Sequence, residues 1–222
     1  MSFLNRNLAL SPLFVRVAPF AIFVGLTSLQ GQLGEASRYW IYLLKTLVGA
    51  WMIWEMRPRV AEMKWAWSWE ALVAGGAVFA LWVGLDPLYP HLGKSGPAWD
   101  PHSFFGGNSL LAWFFVATRV AGSALVVPPL EEIFFRSFAY RYVAKTDFLS
   151  VPLSQFNLLP FLVTSIAFGL EHQQWLAGIL CGGIYQALVI WKGRLGDAIT
   201  AHAVTNFLLG VWVIWKSAWQ FW

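Results

Sequence analysis

Residues 110–136 read LLAWFFVATRVAGSALVVPPLEEIFFR. The first part, Leu110 to Val127, is apolar apart from Arg119. It is close to the roughly 20 residues that a membrane-crossing helix needs. The pair Pro128–Pro129 is expected to end or break that helix, because proline lacks an amide N–H and restricts the residue before it. A shorter helical stretch, Leu130 to Val143, follows at once. It opens on Glu131, Glu132 and Arg136, charges that have no place in an ordinary apolar segment.

Outward from this stretch, the same grain continues in both directions. Further apolar runs are Leu8 to Leu29, Tyr39 to Met56, Trp69 to Leu85, Leu158 to Leu170, Trp175 to Trp191 and Ala198 to Trp215. The first holds Pro19 and no small-residue cleavage site, so it reads as a retained helix and not a signal peptide. The 222 residues are 58% apolar and 12% charged, with a mean hydropathy of +0.58. Soluble domains run at about 45–50% apolar and about 25% charged. Both a water-soluble domain and a disordered chain are thereby excluded. The expected fold is an all-α, polytopic integral membrane bundle of seven to eight membrane helices, residues 1–222 forming a single transmembrane domain. The lone Cys181 excludes an internal disulfide and a cysteine-based zinc cluster.

Positive charge orients the bundle. With a cytoplasmic N-terminus, and with Leu130–Val143 entering without crossing, one set of loops holds eight cations: Arg6, Arg57, Arg59, Lys64, Arg141, Lys145, Lys192 and Arg194. The opposite set holds three, Arg38, Lys94 and Lys216. That bias fits the positive-inside rule. It also accounts for the net charge of +4 without nucleic acid as a partner. The 15 tryptophans gather near run ends, as in an interfacial aromatic belt. His91 and His102 sit in the long loop from Asp86 to Ser109 and read as solvated.

Ionisable residues within membrane segments point to function. Arg16 and Lys45 sit singly and read as structural, and Arg119 could pair with a carboxylate. The cluster after Pro129 differs. Glu132 and Arg136 are four apart and share a helix face, so they can pair. Glu131 is rotated by about 100° and points elsewhere. One carboxylate is thus held by the guanidinium, while the other is free to take a proton from water. The blander alternative is an acidic start to a helix after proline. Two further segments carry the only histidines outside that loop. Phe168 and His172 are one turn apart at the end of a run, and His202 and Asn206 share one stripe of the last. Three separate helices could lend these groups to one polar cavity.

The order of these motifs, Glu131-Glu132-x-x-x-Arg136, Phe168-x-x-x-His172 and His202-x-x-x-Asn206, resembles the CPBP family. That family comprises the type II CAAX prenyl endopeptidases and their bacterial bacteriocin-processing relatives. The resemblance covers residues 128–207. The tryptophan-rich N-terminal half is similar to the bacterial branch found with exosortase protein-sorting systems. The resemblance implies an intramembrane endopeptidase in a bacterial inner membrane, acting near the C-terminus of a membrane-associated protein. It implies that Glu131 and His172 activate water, that His202 and Asn206 donate to the oxyanion, and that Glu132 and Arg136 orient Glu131. The residues alone do not rank Glu131 over Glu132.

Alternatives stay open at this point. Two histidines and a glutamate could hold zinc with an open position, although no HExxH occurs and a metal-free glutamate route is preferred. A non-catalytic partner, such as an immunity or sorting accessory, would have no reason to keep buried Glu131 and His202. A transporter would be expected to show two similar halves, whereas the charge clusters here lie in one half. The Gly196–Asp197 pair lacks the spacing of an aspartyl protease, and Gly122–Ser123 does not resemble an exposed serine turn. The identity of the substrate, its prenylation and the oligomeric state are not readable from these residues.

Overall fold

The computed structural model describes residues 11–93, 98–107 and 109–222. Arg6, Leu8, Lys94 and the Gly96–Pro97 turn lie outside the described residues. All regular structure among the described residues is helical. In chain order the helices are α1 (Phe14–Ser28), α2 (Ser37–Met56), α3 (Trp69–Leu85), the short α4 (Pro101–Phe105), α5 (Leu110–Ala144), α6 (Leu158–Leu170), α7 (Trp175–Lys192) and α8 (Gly196–Lys216).

Local chemistry sets several of these ends. The Ser68 and Ser109 hydroxyls accept from the N–H groups of Ala71 and Ala112, capping α3 and α5. Asp100 caps α4 in the same way, with Pro101 in its first turn. Helix α7 stops at Gly193, whose φ of 64° lies in the left-handed region that glycine tolerates.

The expected break at Pro128–Pro129 is absent. Helix α5 runs through it for 35 residues, about 52 Å of rise. The reason is a change of hydrogen-bond register. Over Gly122–Val126 the helix widens into a π turn, and the Val127 N–H reaches back five residues to the Gly122 carbonyl. The α-helical register then restarts at Val127, so both prolines fall in its first turn, where a missing N–H does least harm. A second π segment follows over Ile133–Ala139. Leu130–Val143 is therefore the continuation of the Leu110 run and not a separate helix.

Four helices are long and apolar enough to cross a membrane: Trp69–Leu88, Leu110–Ala144, Trp175–Lys192 and Gly196–Lys216. Helices α1 and α6 are shorter and apolar. Packing pairs α6 with α7, α3 with α8 and α1 with α2, with α5 running between these pairs. Glycine permits the closest approaches, as small residues do between membrane helices. A Cβ on Gly178 would lie 2.8 Å from the Gly169 Cα, and one on Gly182 2.9 Å from the Ser165 Cα. At the α3–α8 contact, a Cβ on Gly75 would lie 2.6 Å from the Ala201 carbonyl oxygen.

Charge closes one end of the bundle. Glu62, in the loop after α2, accepts from Arg16 at 2.8 Å, from Arg141 at 2.7 Å and from the Ser137 hydroxyl. This fastens that loop to α1 and α5. Asp197 at the start of α8 accepts from Arg194 and from Ser68 before α3, and Lys192 pairs with Glu70 at 2.9 Å. Trp51, Trp54, Trp67, Trp69, Trp191 and Trp215 are exposed, as an interfacial belt requires.

Candidate active site

The π turn before Pro128 has a chemical by-product. In an α-helix the Ser123 carbonyl would accept from the Val127 N–H, but that donor is committed to Gly122. Its partner in π register would be residue 128, a proline with no N–H. The Ser123 carbonyl is left open, and the Asn206 amide Nδ2 of α8 donates to it at 2.8 Å. Sequence thus locks α8 against α5 at the level of the motif residues.

Glu132 and Arg136 pair as expected, Oε2 to Nε at 3.2 Å, with Glu132 fully buried and Arg136 2% exposed. The guanidinium lies 4.3 Å from the Phe168 ring centroid and donates to the Gly182 carbonyl at 3.4 Å. Glu132 also accepts from His202 Nδ1 at 2.9 Å. Glu132 therefore holds His202, and no hydrogen bond joins its side chain to that of Glu131. The other ring nitrogen, His202 Nε2, faces Glu131 Oε2 at 3.9 Å. Tyr185 stacks on the His202 ring, its centroid 5.2 Å away, and is fixed by a 2.7 Å hydrogen bond to Thr205.

His172 sits in the turn after α6. Its Nδ1 lies 2.8 Å from the Phe168 carbonyl, which can only accept, so Nδ1 carries a proton. In the neutral ring Nε2 is then a free acceptor. Trp82 meets the His172 ring edge-on at 5.1 Å.

Glu131, His172, His202 and Asn206 line one cavity of about 610 Å³. The buried Glu131 Oε2 has no hydrogen-bond partner there. Glu132 and Arg136 stand behind the wall and support it. The remaining expectations divide. His91 and His102 lie away from the cavity, bonded to the Asp86 and Gly107 carbonyls. Arg16 pairs with Glu62. Arg119, expected to pair with a carboxylate, instead lies over the rings of Tyr42, Trp99 and Trp222. Lys45, Arg119 and Tyr185 line the cavity too, yet sequence reasoning left them out of the site. For the two cations the signal was their place inside apolar runs; for Tyr185 there was none.

A structural or catalytic zinc ion needs at least three protein ligands in one place. Among the described residues no three His, Cys, Asp or Glu side chains are so arranged. Nδ1 of each membrane histidine is engaged, by the Phe168 carbonyl and by Glu132, which leaves the two Nε2 atoms facing the cavity.

The fold and cavity define an integral membrane helix bundle with a carboxylate- and imidazole-lined interior. Residues 112–208 match the family model described as type II CAAX prenyl endopeptidase Rce1-like, in agreement with the resemblance that the three motifs carry. The match spans all six motif residues. No curated protein and no solved structure matches the chain.

Proposed function

We propose that the protein is an intramembrane endopeptidase that hydrolyses a peptide bond near the C-terminus of a membrane-associated protein. The observation that carries this reading is the convergence of Glu131, His172, His202 and Asn206, from three separate segments, on one cavity. Glu131 and the unprotonated Nε2 of His172 hold a water between them. Glu131 takes its proton as the oxygen attacks the scissile carbonyl. The tetrahedral oxyanion receives hydrogen bonds from Asn206 Nδ2, which has a second N–H beyond the one given to Ser123, and from His202 Nε2. Because Nδ1 of His202 is committed to Glu132, Nε2 donates when the ring is doubly protonated, and Glu132 supplies its counter-charge. Glu131 then passes the proton to the leaving amine as the C–N bond breaks.

In this reading the chain is one transmembrane domain of seven membrane helices, with α1, α2 and α6 in the bilayer beside the four longer ones. The N-terminus is cytoplasmic in a bacterial inner membrane, and the mechanism is metal-free. Purified protein in liposomes, given farnesylated and unprenylated CAAX-type peptides, tests it. Wild type is expected to cut at least one of them. Glu131→Gln is expected to lower the rate by at least about 100-fold, the usual scale of a general base, with the thermal melt unchanged. Undiminished cleavage by Glu131→Gln would remove Glu131 from the chemistry.

A further inference from the structure

Two cations on the cavity wall take no part in this chemistry. Lys45 of α2 is 5% exposed; its ammonium donates to the Thr27 hydroxyl at 2.8 Å and lies 4.6 Å and 4.8 Å from the ring centroids of Phe23 and Tyr42. Arg119 of α5 lies against the other members of an aromatic cage, 4.4 Å from the Tyr42 centroid and 5.2 Å from that of Trp99. Its buried Nε has no hydrogen-bond partner. Both side chains line the same cavity as Glu131, both lie against the Tyr42 ring, and neither forms an ion pair with a carboxylate among the described residues. Aromatic faces offset part of the cost of a buried cation. They leave its N–H donors unanswered, since an ammonium has three and a guanidinium five. Two such groups kept side by side inside a membrane protein, with Glu131 across the same cavity but no carboxylate in direct contact, are arranged for an anion that arrives.

We infer that Lys45 and Arg119 form a subsite for the free C-terminal carboxylate of the substrate. This rests on the endopeptidase reading above, which supplies a chain end in this cavity. The shared chemistry is an anionic oxygen group, and a lipid headgroup is the other source. The position favours the peptide, because the cations share their cavity with the hydrolytic groups. The geometry also sets a ruler. Arg119 precedes Glu131 by twelve residues on the one helix α5, about 18 Å of rise. An extended chain spans at most about 3.3–3.6 Å per residue. A carboxylate held at Arg119 therefore lies at least about five residues of extended chain from a bond cut beside Glu131.

The test uses the full chain in phosphatidylcholine nanodiscs and an N-acylated, fluorescent, ten-residue apolar peptide, prepared as free acid and as carboxamide. Binding is read on the Glu131→Gln protein, independently of turnover, and cleavage on the wild type. The acid is expected to bind about tenfold tighter than the amide or more, as a charge-assisted contact should. The double variant Lys45→Met/Arg119→Gln in the Glu131→Gln background should bind both forms equally, at the level of the amide. Should the double variant not fold, each single variant should lose part of the preference, and Lys45→Arg should keep it. Cuts by the wild type should fall about five residues or more from the carboxyl end. Equal binding of acid and amide, or a preference that survives removal of both cations, would overturn the subsite. So would loss of the preference when phosphatidylglycerol enters the nanodisc, which would assign the site to lipid. A preserved preference with no cleavage by the wild type would leave the subsite standing and refute the endopeptidase reading. Cleavage without preference would do the reverse.

Discussion

The Asn206 carboxamide has two N–H groups, and only one is committed to Ser123. The second is available to the cavity. Asn206→Asp exchanges that donor group for an oxygen and leaves the Ser123 carbonyl without its donor. The expected outcome is a fall in kcat of about 10²–10³, the scale of one lost oxyanion donor. A drop in stability of about 1–3 kcal/mol should accompany it, the cost of an unsatisfied buried polar group. Turnover measurements and thermal unfolding on the same variant check both parts. The His202-x-x-x-Asn206 stripe was legible because a spacing of four places both on one helix face. Their anchors were not. Glu132 and Ser123 lie 70 and 83 residues away along the chain, and no local rule links such distant positions. The Glu132–Arg136 pair was legible as a helix-face pair, while the second contact of Glu132, to His202, appears only once α8 is packed beside α5.

Among the elements, α5 departs furthest from what its sequence suggests. The Pro128–Pro129 rule is sound for the interior of an α-helix, where two amide donors are lost. It fails here because the π turn over Gly122–Val126 places both prolines at the start of a fresh register. A sequence pattern of apolar residues carries no mark of that shift. The runs Tyr39 to Met56, Trp69 to Leu85, Leu158 to Leu170, Trp175 to Trp191 and Ala198 to Trp215 were readable, since each is apolar and nearly free of charge, and their ends moved by at most two residues. Glycine-mediated packing was not readable, because a glycine looks alike whether it faces lipid or a helix. Gly178 faces the backbone of Gly169. Gly178→Leu should force α7 away from α6 and lower stability by about 1–3 kcal/mol, as overpacking does. Thermal unfolding in detergent reads this directly, and Gly76→Leu, at a position with nothing within 4 Å of an added Cβ, is the control expected to change little.

For the whole molecule, the charged network at Glu62 sets an acid limit. Burial opposes ionisation of Glu62, but hydrogen bonds from Ser137 and Arg16 outweigh it and hold its carboxyl below the ordinary value of 4.5. A carboxyl held lower in the folded than in the unfolded chain contributes stability above its unfolded value. That contribution is lost as the pH falls through the folded value. Melting temperature should therefore decline as the pH drops below about 4.5. Glu62→Gln should remove that decline while lowering stability at neutral pH, because Arg16 and Arg141 lose their shared counter-charge. A pH series of thermal melts on both proteins checks the sign. The length of α5 bears on the same end of the molecule. Its 35 residues exceed what the ~30 Å hydrocarbon core can hold. When Leu110–Leu130 fills that core, with about 30 Å of rise, the next residue, Glu131, stands at the boundary on the side of the Glu62 network. The proposed hydrolysis consumes one water for each bond cut, and a carboxylate at that depth would draw it from the wet headgroup layer. For the proposed endopeptidase, the overlong helix thus ties the water supply of the site to the headgroup layer and not to the centre of the bilayer.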